Sequence, residues 1–185
     1  MGKKNTCCFT GHRPQKLPWG YDEEWEDCVK LKLKLACEIE AMRKKGVTTF
    51  ITGMAIGVDM WAAEIVLDLK SAYPQDAIKL IAAIPYEGQA NKWSVEYRER
   101  YFDILAQADQ EVIFQEHYTK SCMHERNRFM VDNSAYMIAV FNGDKGGTAN
   151  TLHYAESKGL NIVIINPNDL SRDEKPLYRG LKLLK

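Results

Sequence analysis

Apolar and polar positions follow two rhythms along this chain. Short β-branched and aromatic runs at residues 6–10, 47–51, 78–84, 111–114, 135–141 and 161–165 read as six strands. Between them, apolar residues return every three or four positions. From about residue 22 to 45, Cys28, Leu31, Leu35, Ile39 and Met42 form such a stripe. It outweighs by length the strand-like alternation of residues 30–35, and Gly46 supplies the stop. Further helices are predicted at residues 61–69, about 91–108, 123–130 and about 149–158. Trp93, Tyr97 and Tyr101 stand at helical spacing and are assigned to packing. The loop bearing Trp19 and Tyr21 reads as a surface loop tucked onto the body, with lining of the site as the alternative.

Strands and helices alternate through the whole chain, which predicts a single Rossmann-like α/β domain. Its mostly parallel sheet of about six strands carries helices on both faces. The domain is expected to span residues 1–168. The polar tail, 169–185, is expected to hold one more short helix, because Ser171-x-x-Glu174 fits a capping box.

Three glycine turns follow strands: Gly11-His12-Arg13-Pro14, Gly53-Met54-Ala55-Ile56-Gly57-Val58-Asp59, and Gly146-Gly147-Thr148. Right-handed crossovers bring strand C-termini to one edge, where open α/β sheets bind ligands. The three turns converge if the first strand lies between the second and the fifth. The 53–59 turn, between a buried strand and a helix, reads as a seat for phosphate or carboxylate. The alternative there is a tight turn with Asp59 as a first-turn acid.

Composition narrows the function classes. Apolar residues make up 45% and charged ones 27%, with 25 basic and 25 acidic residues cancelling to zero net charge. That balance leaves no electrostatic footprint, so nucleic acid is not expected as a partner. The five cysteines form no C-x-x-C pair and read as reduced thiols in a cytoplasmic protein. No apolar run approaches membrane-spanning length. His12, His124 and His153 match no ligand spacing, so no metal is expected.

Thr10-Gly11-His12-Arg13-Pro14, the Gly53–Asp59 turn and the Gly147-Thr148 helix start together resemble the SLOG superfamily, and most nearly its YpsA-like branch. The 53–59 turn is similar to the glycine-rich turn of the DNA-processing protein DprA. Met123-His124-Glu125-Arg126 is similar to the signature of the LOG-type phosphoribohydrolases. The resemblance covers nearly the whole chain. It implies a Rossmann-like fold and a site for a nucleotide or ADP-ribose-like ligand, with no required cofactor. Carried over position by position, it gives as ligand-binding residues Gly11, His12, Arg13, Gly53, Met54, Gly57, Asp59, Arg126, Asn127, Gly146, Gly147 and Thr148.

One departure bears on chemistry. The hydrolase branch carries a catalytic glutamate three residues after the Gly-Thr threonine, where this chain has Thr151. Cleavage of an N-glycosidic bond needs a carboxylate beside the ribose, by analogy with glycoside hydrolysis. Glu125 and Asp59 are the substitute candidates. The residues therefore favour a binding or sensing module, with a nucleoside monophosphate phosphoribohydrolase as the alternative. The partner expected is a small phosphorylated ribose ligand. Ligand identity, homo-oligomeric state and any protein partner are left open.

Overall fold

The computed structural model describes residues 2–175. Seven strands form one sheet: β1 (Thr6–Gly11), β2 (Thr49–Thr52), β3 (Lys79–Ile84), β4 (Gln110–Ile113), β5 (Tyr136–Val140), β6 (Asn161–Ile165) and β7 (Arg172–Lys175). Their order is β4-β3-β2-β1-β5-β6-β7, parallel throughout except for β7, which runs antiparallel to β6. β1 lies between β2 and β5, the order that lets the three glycine turns share one edge.

Five helices cover the sheet: α1 (Glu26–Lys44), α2 (Val58–Ala72), α3 (Val95–Gln107), α4 (Cys122–Asp132) and α5 (Gly147–Ser157). The two-residue period of β1 explains how one strand serves two cores. Cys7 and Phe9 face the layer that holds Leu31, Leu35 and Ile39 of α1 and Trp61 of α2. Phe9 stacks there on Phe50 of β2, with ring centroids 6.0 Å apart. Cys8 faces the opposite layer, with Met130 and Val131 of α4 and Leu152 of α5. The apolar stripe foreseen on α1 is buried at all five positions. Glu26 and Asp27 in its first turn, with Arg43 and Lys44 in its last, complement the helix dipole.

The tail differs from expectation. The capping-box pattern at Ser171 and Glu174 leads into β7 rather than a helix, and β7 extends the sheet past the domain end expected at residue 168. All four β7 residues are exposed, so this edge strand has no apolar alternation to read. Residues 176–185 of the expected tail lie outside those described. The five cysteines are free thiols, all but Cys37 buried. Among the described residues no helix is long and apolar enough to cross a membrane.

Candidate functional site

A cavity of about 420 Å³ opens at the C-terminal edge of β1, β2 and β5. β1 delivers Gly11 and, just beyond it, His12 and Arg13, while α4 contributes Met123, His124, Arg126 and Asn127. The loop after β5 and the start of α5 bring Asp144, Gly146, Gly147 and Thr148. The structure thus gathers nine of the twelve expected ligand-binding residues around one space: Gly11, His12, Arg13, Asp59, Arg126, Asn127, Gly146, Gly147 and Thr148. Gly53, Met54 and Gly57 do not line it.

The reason is visible in the 53–59 turn. Arg126 Nη1 donates to the Gly53 carbonyl, and a Cβ on Gly53 would stand 1.8 Å from that nitrogen. Asp59 Oδ2 lies 3.7 Å from Arg126 Nη1 and accepts from the Ala55 N–H at 3.4 Å. Thr52 Oγ1 donates to the Asp59 carbonyl at 2.7 Å, closing the turn on itself. Met54 is buried with φ +56°, and its carbonyl accepts from Gln89 Nε2 at 2.7 Å. Gly57 has φ +97°, which glycine adopts without strain, and its open side lies against Pro14. The glycines here make room for the protein's own groups. Burial raises the Asp59 pKa despite the pull of Arg126, and burial lowers that of Arg126 despite Asp59.

The turn between β5 and α5 is built differently. Residues 143–147 are exposed, and no side chain caps the N-terminus of α5 at Gly146. The first N–H groups of a helix have no partner within it, and the dipole favours an anion there. Gly146 has φ +147°, and a Cβ on Gly147 would meet nothing within 4 Å. Thr148 Oγ1 donates to the Gly11 carbonyl at 3.1 Å, tying this helix start to β1. Lys16, from the turn after Arg13, donates to the Lys145 carbonyl at 3.2 Å beside Gly146. His12 is held over the same loop, its Nε2 2.7 Å from Asn142 Oδ1. Asn142 Oδ1 also accepts from the Asp144 N–H and its Nδ2 donates to Asp144 Oδ2, while the Asn142 backbone N–H donates to His12 Nε2 at 3.3 Å. Burial pushes the His12 pKa down, which favours the neutral ring.

The carboxylates are placed less favourably for catalysis. Glu125 is exposed outside the cavity lining and accepts from Gln115 Nε2 at 2.7 Å. Hydrogen bonds from Ser121 and Gln115 lower its pKa. Asp59 lines the cavity but faces Arg126, and Asp144 takes the Asn142 amide at 2.9 Å. Thr151 is buried, donating from Oγ1 to the Gly147 carbonyl and accepting from Asn127 Nδ2, each at 2.8 Å. Lys16, Asp144 and the Asn142 partner of His12 were not anticipated from the sequence. The positive charge two residues after Pro14 was the available signal for Lys16.

Comparison with known proteins agrees with this architecture. The profile of the YspA SLOG family matches residues 7–170. The uncharacterized SPbeta prophage-derived protein YoqJ of Bacillus subtilis is 35% identical over 145 residues, covering 71% of this chain and 84% of that protein. A UPF0398 protein of Halalkalibacterium halodurans is 28% identical over 175 residues, 88% of each chain. Among solved structures, DNA processing protein A of Streptococcus pneumoniae superposes with a TM-score of 0.54 at 17% identity. That match covers 88% of this chain and 50% of the other. The Helicobacter pylori protein of the same name gives 0.60 at 16% identity, covering 86% of this chain and 64% of that one. This chain therefore spans half to somewhat under two thirds of those proteins, and the likeness is one of fold.

The Helicobacter protein is described by its single-stranded DNA binding mode. A protein with this fold thus binds nucleic acid, which corrects the expectation that nucleic acid is an unlikely partner for such a chain. That expectation rested on net charge summed over the whole chain. A sum over the chain does not describe how charge is distributed on its surface.

Proposed function

The chain belongs to the YspA SLOG family, and from that premise we propose that the cavity binds a phosphorylated ribose ligand, a nucleotide or an ADP-ribose-like molecule. One observation carries this reading. The N-terminus of α5 opens into the cavity without a side-chain cap, beside the cations Lys16 and Arg13. Arg126 adds Nη2, which among the described residues donates to the weak acceptor Met123 Sδ at 3.9 Å. The 53–59 turn supports the site from beneath by fixing that guanidinium. The ligand is a free nucleotide or a nucleotide unit of a single strand, since both present the same phosphate and ribose.

Binding is favoured over N-glycosidic cleavage. Thr151 stands where the hydrolases carry their glutamate, with its hydroxyl engaged on both sides. The two carboxylates of the cavity lining, Asp59 and Asp144, are each engaged by another side chain.

Thermal melts with adenosine monophosphate, ribose phosphate and ADP-ribose test the reading. A ligand at 100 times its dissociation constant stabilises by about 2.7 kcal/mol. At least one probe should raise the melting temperature, and Lys16→Ala should reduce that rise. Chromatography of the same mixtures should show no free base. Base release at about one turnover per second or faster would replace the binding module with a hydrolase.

A further inference from the structure

Two further cavities border the first. One shares Arg13 and Met123 with it and is walled by Tyr21, Trp93 and Tyr97. The other, of about 390 Å³, shares His124 and Asn127 with it and is lined by α4 and α5. His124, Asn127 and Arg128 lie on one face of α4, and Asn150, His153 and Tyr154 repeat the same spacing on α5.

The charge of this polar cavity is one-sided. Among the described residues no carboxylate lines it, and Arg128, which does, has no ion-pair partner. The guanidinium carbon of Arg128 lies 5.4 Å from the Tyr154 ring centroid, within cation–π range. The Tyr154 hydroxyl donates to Asp132 at 3.0 Å, and Asp132 pairs with Lys158 at 3.1 Å, so that carboxylate is already engaged. The side chains of Asn150, His124 and His153 make no hydrogen bond to the described residues.

Asn127 is the partition between this cavity and the first, and it is fixed from both sides. Its Oδ1 accepts from Arg126 Nε at 2.7 Å, and its Nδ2 donates to Thr151 Oγ1 at 2.8 Å. Arg126 lines the first cavity and Arg128 the other, so each holds a guanidinium.

We propose that the Arg128 cavity binds a second phosphate, and that the ligand is a ribose phosphorylated on both its 5′ and 3′ sides. This rests on the nucleotide reading of the first cavity and deepens it. The two phosphates of a pyrophosphate share a bridging oxygen and would lie together in one cavity. Phosphates at the 5′ and 3′ positions are held apart by the sugar, an arrangement that two cavities divided by one side chain match. Arg128 offers the second phosphate a planar fork of N–H donors, and each histidine adds at least one. A nucleoside 3′,5′-bisphosphate and a single nucleic-acid strand both present this group.

Isothermal titration of the full chain with adenosine monophosphate, adenosine diphosphate and adenosine 3′,5′-bisphosphate tests this. The bisphosphate should bind roughly tenfold or more tightly than the monophosphate, the gain of one charge-assisted hydrogen bond. The diphosphate carries the same added phosphate without the separation and should not share that gain. Arg128→Ala should bring the bisphosphate-to-monophosphate ratio to about one. The wild-type comparison stands even if the variant fails to fold.

Equal affinity for the monophosphate and the bisphosphate overturns the second site and leaves the first standing. A diphosphate as tight as the bisphosphate assigns the gain to charge alone and overturns it too, as does an unchanged ratio in the folded variant. Oligo(dA) that binds while the free nucleotides are silent, and that Arg128→Ala weakens roughly tenfold or more, keeps the site and assigns it to a strand. Failure of every probe overturns both cavities.

Discussion

Two strand–glycine–helix turns lie on either side of β1 at one edge of this sheet and use their glycines for opposite ends. The turn from β2 into α2 is closed, with Arg126, Asp59 and Thr52 filling the space its small residues leave. The turn from β5 into α5 is exposed and uncapped, with Lys16 beside it. A glycine turn makes room for a charged group in either case. Whether that group comes from the chain or from a ligand depends on what distant segments deliver.

The largest expected effect breaks the closed turn. Arg126→Ala leaves Asp59 buried without its cation and the Gly53 carbonyl unpaired, so it should cost about 3–5 kcal/mol in urea unfolding. The double variant Asp59→Asn with Arg126→Met should recover part of that loss. A loss under about 1 kcal/mol for Arg126→Ala would mean that the turn does not depend on its internal pair.

The same substitution at the two turns sharpens the contrast. Gly53→Ala places a methyl group where the Arg126 guanidinium lies and should cost about 1–3 kcal/mol. Gly147→Ala meets open space and should stay within about 0.5 kcal/mol of wild type. Equal costs would erase the distinction.

Lys16→Ala should leave unfolding within about 0.5 kcal/mol but weaken adenosine monophosphate roughly tenfold or more, the loss of one charge-assisted hydrogen bond. Unchanged affinity in titration would remove Lys16 from the site.

Acid should act on the two turns with opposite sign, and this effect is the smallest. The His12 pKa is lowered below 6.5 in the folded state. Its stabilising contribution is complete above 6.5 and is lost as pH falls toward the folded value. The Asp59 pKa is raised above 3.8 in the folded state. Its contribution is therefore fullest below 3.8 and is lost as pH rises through the folded value. His12→Asn should flatten the decline just below pH 6.5 seen by urea unfolding, and Asp59→Asn should leave that decline in place.

Six strands, five helices and the shared edge were legible because period-two and period-3.6 apolar patterns depend on local sequence. β7 was not, since Arg172–Lys175 is an exposed polar edge whose flanking Ser171 and Glu174 mimic a helix start. The 53–59 turn read as the anion seat because its sequence shows glycines beside a helix but not the guanidinium that arrives from α4. Of the aromatic residues beside the site, Tyr21 was open to that reading from the sequence, while Trp93 and Tyr97 stayed hidden for a related reason. A helical stripe such as Trp93, Tyr97 and Tyr101 signals packing, and only the fold shows that one edge of it borders a cavity.

Amide chemical shifts during titration with adenosine monophosphate test the central claim most directly. The account predicts the largest changes at Gly147 and Thr148, with little change at Gly57 and Val58. Large changes at Gly57 and Val58 with none at Gly147 and Thr148 would contradict it and return the phosphate to the β2–α2 turn.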